Sequence, residues 1–148
     1  MKRDRLATVL RLRRLDEQAA QVRLREALVA LAETERALGQ WAATLADEEA
    51  WLALVQAGPT TGSACQAASA AVAQARTRRD TAALAVGEAA GQMALTRDAL
   101  AAATRRREVV ERLRERQHAL ARRAEERAET VRLAEVATVQ HVFGSREA

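Results

Sequence analysis

Leucine recurs at every seventh position through the first third of the chain, as Leu24, Leu31, Leu38, Leu45 and Leu52. A period of seven marks one face of an α-helix that supercoils against a partner. A second row follows the single proline: Ala75, Ala82, Ala89, Thr96, Ala103 and Val110. In an antiparallel pair, residues at one level have position numbers with a constant sum. Leu45 with Ala75, Leu38 with Ala82, Leu31 with Ala89 and Leu24 with Thr96 all give 120. The companion rows obey the same rule: Ala20 with Leu100, Ala27 with Met93, Thr34 with Val86, and Glu48 with Val72. Half of 120 is 60, where Gly58-Pro59-Thr60-Thr61-Gly62 stands. The pattern predicts an all-α chain folded as a long antiparallel two-helix coiled-coil hairpin.

The boundaries follow from the breakers. One domain, 1–148, is expected to hold a helix over 3–57, a turn over 58–63, a helix over 64–142 and a disordered tail over 143–148. Proline cannot continue a helix, and glycine suits a left-handed cap, so Gly58-Pro59 stops the first helix. Ser63 is the expected N-cap of the second. Gly39, Gly87 and Gly91 are the soft points of the two helices. Near Val110 the companion row is expected to change sides, from Val86, Met93 and Leu100 to Leu113, Leu120 and Ala134. The arms are unequal: the partner of position 1 is 119, which leaves 120–142 as an overhanging C-terminal helix. Its stripe of Leu120, Ala124, Val131, Ala134 and Thr138 has nothing in the chain to cover it, and such a helix is marginal alone in water.

Composition points the same way. Of 148 residues 49% are hydrophobic but only 2% aromatic, with one Phe, two Trp and no Tyr. That is too little bulk for a broad core, and enough leucine and alanine for a narrow seam. Charged residues make up 30%, the profile of a long helix or coiled coil.

The net charge of +4 is unevenly spread. Lys2, Arg3, Arg5, Arg11, Arg13 and Arg14 crowd the start, and Arg105, Arg106, Arg107, Arg112, Arg114 and Arg116 crowd the middle of the second helix. By the rule of 120, Arg13 faces Arg107 and Leu6 faces Arg114, so both clusters meet at the open end of the hairpin. Like charges in contact cost a few tenths of a kcal/mol per exposed pair, which suggests an acidic partner.

Candidate chemistry is sparse. A single cysteine, Cys65, excludes an intrachain disulfide and reads as a small filler. His118 and His141 stand 23 positions apart on one helix, too far to share a metal. The turn lacks the Lys-Ser/Thr of a phosphate loop and the strand that precedes one. No apolar run reaches the ~18 residues of a membrane span, and Met1 to Arg5 lacks the apolar stretch of a secretory signal. The expectation is a non-enzymatic protein without cofactor or metal, placed in the cytoplasm or exported by a route that reads no such signal. Trp41 occupies a seam level opposite Arg79, where cation–π stacking would explain it. Trp51 falls one residue off the seam and is expected to be at least partly exposed; it reads as either a partner contact or a surface residue.

Three functional classes fit a rod: a structural spacer or adaptor, a basic nucleic-acid binder, and an interaction rod with two specialised ends. Arginines interleaved with glutamates, as in Arg114-Glu115-Arg116 and Glu125-Glu126-Arg127, read as a solvated face. Without aromatics placed for base stacking, nucleic acid is the weakest of the three.

The run from Leu6 to Arg14 (LATVLRLRR), the hairpin of this size, then Leu113 to Gln117 (LRERQ) and Glu126 to Ala137 (ERAETVRLAEVA) resemble the flagellar export protein family FliJ. The related YscO-type stalk proteins of injectisomes have a similar plan. The resemblance implies a component of a type III (flagellar) protein export apparatus that serves motility. It would lie in the cytoplasm and be peripheral at the inner membrane only through its partners. These would be the export ATPase hexamer, which takes the open end, and the cytoplasmic domain of the export gate, which meets the opposite part; export chaperones are a further partner class, and nucleic acid is not one. Carried over, the ATPase-binding residues would be Arg5, Arg13, Arg14, Glu115, Arg116, Gln117, Glu129, Arg132 and Glu135. The gate-binding residues would be Trp41, Leu45 and Trp51. The chain departs from the family in the small residues of its early second arm, Ala67 to Ala71 and Val72.

Overall fold

The computed structural model describes residues 5–144. The predicted helix start at Arg3, the charges of Lys2, Arg3 and Asp4, and the tail from Ser145 to Ala148 lie outside the described residues. Two helices make up the rest, α1 (Arg5–Ala57) and α2 (Gly62–Gly144), and no strand occurs among the described residues. The second helix starts two residues earlier than 64, and Phe143 and Gly144, expected in the tail, are helical.

The turn differs from its reading in two ways. No glycine among the described residues has a positive φ, so Gly58 is not a left-handed cap. The end of α1 is closed by Thr60 instead: its hydroxyl donates to the Val55 carbonyl, and its N–H donates to the Gly58 carbonyl at 3.0 Å. The N-cap of α2 is Thr61, not Ser63. The Thr61 carbonyl accepts from the N–H of Ala64 at 3.0 Å and of Cys65 at 3.2 Å, and its hydroxyl oxygen faces the Ala64 N–H at 3.4 Å. A residue whose carbonyl takes the first helical bond while its side chain satisfies an orphan donor is an N-cap.

The chain forms two compact units. One is Asp16–Ala103, which contains the turn. Here Leu45, Val72 and Ala75 form a buried cluster with Leu52 packed against it. Arg76 donates to Glu49 at 2.7 Å, and Arg78 lies over the Trp41 ring. These contacts join α1 residues 41–52 to α2 residues 72–78. Buried or half-buried positions on α2 recur in fours and threes: Ala68, Val72, Ala75, Arg79, Ala82, Val86, Ala89, Met93, Thr96, Leu100 and Ala103. That is the heptad seam. Two threonines sit in it without leaving a hydroxyl unsatisfied: Thr34 donates to the Leu31 carbonyl at 2.8 Å and Thr96 to the Met93 carbonyl at 2.9 Å.

The other unit is Met1–Leu15 with Thr104–Ala148. Leu10 is its best-buried side chain at 3% exposure. Arg107, Val110 and Arg114 continue the four-and-three spacing as half-buried positions, while Leu113 is exposed. The companion row therefore does not pass to Leu113. It stays in place and switches from apolar side chains to arginines, whose aliphatic stems cover a seam while the guanidinium reaches water. From Leu120 to His141 every residue is exposed.

Candidate functional surfaces

In the unit holding both ends of the chain, the arginines do not simply repel. Glu111 stands between Arg14 and Arg107. Arg14 Nη2 donates to Glu111 Oε1 at 2.9 Å, and Arg107 Nη1 donates to Glu111 Oε2. The hydrogen bond from Arg14, with the positive charge of Arg107 and Arg14 beside it, holds the Glu111 carboxyl below its ordinary value against a smaller opposing effect of desolvation. Glu108 adds a looser contact to Arg107 at 4.0 Å and to Arg112 at 3.9 Å. The like-charge cost expected where Arg13 meets Arg107 is thus offset by a carboxylate one turn on from Arg107. The i,i+4 spacing of Arg107 and Glu111 is legible in the sequence; the bond from Arg14 across to α2 is not.

Of the ATPase-binding candidates, Arg5, Arg14, Glu115, Arg116, Gln117, Glu129, Arg132 and Glu135 are exposed and Arg13 is half-buried. All nine belong to this one unit. Among and just beyond them, on the same stretch of α2, lie the exposed apolar residues Leu120, Val131, Leu133, Val136 and Val139. A charged surface with uncovered aliphatic side chains interspersed is suited to a partner that offers both acidic groups and an apolar wall.

The gate-binding candidates fall in Asp16–Ala103, and they are not alike. Leu45 is buried against Val72 and Ala75, so it holds the seam and has little surface to offer. Trp41 is half-buried, and its cation is Arg78, with Cζ 4.8 Å from the ring centroid, rather than Arg79. Arg79 occupies the seam and pairs with Asp80 at 2.7 Å. The rule of 120 identifies the residue at the same level, whereas stacking on a broad indole is done from the flank of the seam. Thr44, Glu48, Ala71 and Gln74 join Trp41 and Arg78 around a shallow hollow. Trp51 is 58% exposed and Leu54 is exposed beside it. Exposed Trp is the residue type most enriched at binding hot spots.

Among the described residues no helix is long and apolar enough to cross a membrane, and no group of His, Cys, Asp and Glu could hold a metal ion.

The comparisons with known proteins add one finding. A family model described as "Flagellar FliJ protein" matches residues 1–143. Neither a curated protein nor a solved structure matches the chain.

Proposed function

This chain belongs to the FliJ family, non-catalytic components of flagellar type III export, and we propose that it works as the stalk that couples the export ATPase ring to the export gate. The observation that carries the reading is the family match over nearly the whole length, joined to the division of charged and aromatic surface between the two units. In this reading α1 and α2 form an antiparallel hairpin whose second helix overhangs the first. The surface of Arg5, Arg13, Arg14, Glu115, Arg116, Gln117, Glu129, Arg132 and Glu135 enters the lumen of the ATPase hexamer. Its arginines steer the approach to acidic lumen walls, and the exposed aliphatic stripe from Leu120 onward is covered as it enters. Trp51, with Leu54 and the rim of the Trp41–Arg78 hollow, meets the cytoplasmic domain of the gate, while Leu45 supports that surface from beneath.

The protein on this reading is cytoplasmic and reaches the inner membrane only through its partners, without a cofactor. Affinity capture of the tagged full chain from a flagellated cell, followed by mass spectrometry, tests it. Recovery of the export ATPase and the gate protein is the expected result; recovery of neither would leave a structural adaptor as the better description.

A further inference from the structure

Along α1 from Ala20 to Val55 every seam position is buried or half-buried, and all are uncharged except Glu48. The rule of 120 sets it level with Val72, which is buried. A charge drawn partly out of water at a seam position costs stability unless a partner satisfies it. No hydrogen bond or ion pair joins Glu48 to another described residue. Three arginines stand on the facing stretch of α2, and each is engaged elsewhere: Arg76 with Glu49 at 2.7 Å, Arg78 over the Trp41 ring, and Arg79 with Asp80 at 2.7 Å.

Glu48 lines the hollow beside Trp41, Thr44, Gln74 and Arg78. At about 140 Å³ the hollow has room for a few waters or for the end of one side chain. Its polar walls can accept more bonds than they now do. The Glu48 carboxylate is unpaired, the Gln74 amide can present its oxygen, and the Thr44 hydroxyl gives its proton to the Gln40 carbonyl at 3.0 Å and keeps its lone pairs. We propose that the hollow takes one basic side chain from the cytoplasmic domain of the gate, its cation pairing with Glu48 and its stem lying against the Trp41 indole. This rests on the reading that the unit meets the gate, and it names the chemistry of the meeting.

Two further observations favour a cation over an anion. The unit Asp16–Ala103 holds eleven Asp and Glu against seven Arg, in a chain that is +4 overall, so its field draws in a basic partner. A carboxylate between two arginines already occurs in this chain, where Glu111 accepts from both Arg14 and Arg107; Arg78 therefore does not exclude an incoming cation. Trp51 stands seven positions after Thr44 and so on the same face of α1, which lets its ring and the hollow meet one segment of the partner.

Thermal melts of the full chain, with calorimetric titration of the purified gate domain, test the proposal. Glu48→Leu completes the apolar seam, so it is expected to melt higher than the native chain and to lose gate binding. Glu48→Gln is expected to weaken binding about tenfold, and Glu33→Gln, at an exposed carboxylate on the same helix, to leave it unchanged. In a Trp51→Phe chain Trp41 is the only indole, and its fluorescence reports on the hollow without the gate. An arginine-rich peptide is expected to change that fluorescence, a glutamate-rich peptide of the same length to leave it alone, and Glu48→Gln to remove the response. Gate binding untouched by Glu48→Leu, a Glu48→Leu chain that melts lower, or an indole that answers to both peptides or to neither would each overturn the proposal. If the gate domain bound no chain while the arginine peptide still acted through Glu48, the gate would fall as the partner and the hollow would stand as a seat for a basic side chain.

Discussion

The guanidinium carbon of Arg78 lies 4.8 Å from the centroid of the Trp41 ring. The largest side chain in the seam is therefore closed over by a cation from the other helix rather than by a leucine. Removing the cation by Arg78→Ala is expected to cost about 0.5–1 kcal/mol, the worth of a partly exposed cation–π contact. Trp41→Ala is expected to cost more, because it also removes the large half-buried indole from the seam. Chemical denaturation of the two single variants and the double variant would isolate the coupling. A coupling of zero would mean that the two side chains only share a surface.

Leu45 and Trp51 are six positions apart and are expected to behave oppositely. Leu45 is 8% exposed within the cluster with Val72 and Ala75. Leu45→Ala is expected to lower stability by about 2–3 kcal/mol, at the low end for a core leucine because a two-helix seam is narrow. Trp51→Ala is expected to change stability by less than about 0.5 kcal/mol and to weaken binding to the gate domain. Thermal melts with a binding titration separate the two effects; a large loss of stability in the Trp51 variant would place that ring in the core.

Glu111 gives the acid response a sign. Its carboxyl is held below the ordinary value, chiefly by the hydrogen bond from Arg14. A group with a depressed folded-state value stabilises the fold fully above its unfolded value and stops doing so as the pH falls through the folded one. The contacts between Arg14, Arg107 and Glu111 are thus expected to loosen below the normal carboxylate range and to be intact at neutral pH. Glu111→Gln is expected to flatten that part of the curve of stability against pH and to lower stability at neutral pH. An unchanged curve would show that the carboxylate contributes nothing.

Two glycines offer a gain. A Cβ at Gly87 or Gly91 would meet nothing within 4 Å, and both lie inside α2. Gly→Ala in a helix interior is worth about 1 kcal/mol where space allows, so the double variant is expected to melt higher. If binding to a partner fell at the same time, the open face of these glycines would be identified as a contact.

Much of this was legible because the seam of a two-helix pair is a linear code. Leu45 with Ala75 and Thr34 with Val86 follow from spacing alone, and the structure leaves all four buried or half-buried. The errors in the seam share one cause: spacing reports the level of a residue and not what its side chain reaches. Arg78 stacks on Trp41 from the flank, where the level rule pointed to Arg79. Arg107 and Arg114 hold seam positions through their stems, where an apolar rule passed the row to Leu113. At the turn, the hydroxyls of Thr60 and Thr61 took the capping roles assigned to Gly58 and Ser63, since several short polar residues in a row can each cap and sequence alone does not rank them. Which residues would meet a partner depends on the partner's surface, and that is not encoded in a heptad.

The most direct measurement is ATP hydrolysis by the export ATPase with and without the full chain, repeated with Arg5, Arg13 and Arg14 all replaced by Glu. Stimulation by the native chain, lost or several-fold weaker with the triple variant while its helical circular dichroism is kept, is the expected result. Equal stimulation by both chains, or none by either, would contradict the assignment of this charged end to the ATPase.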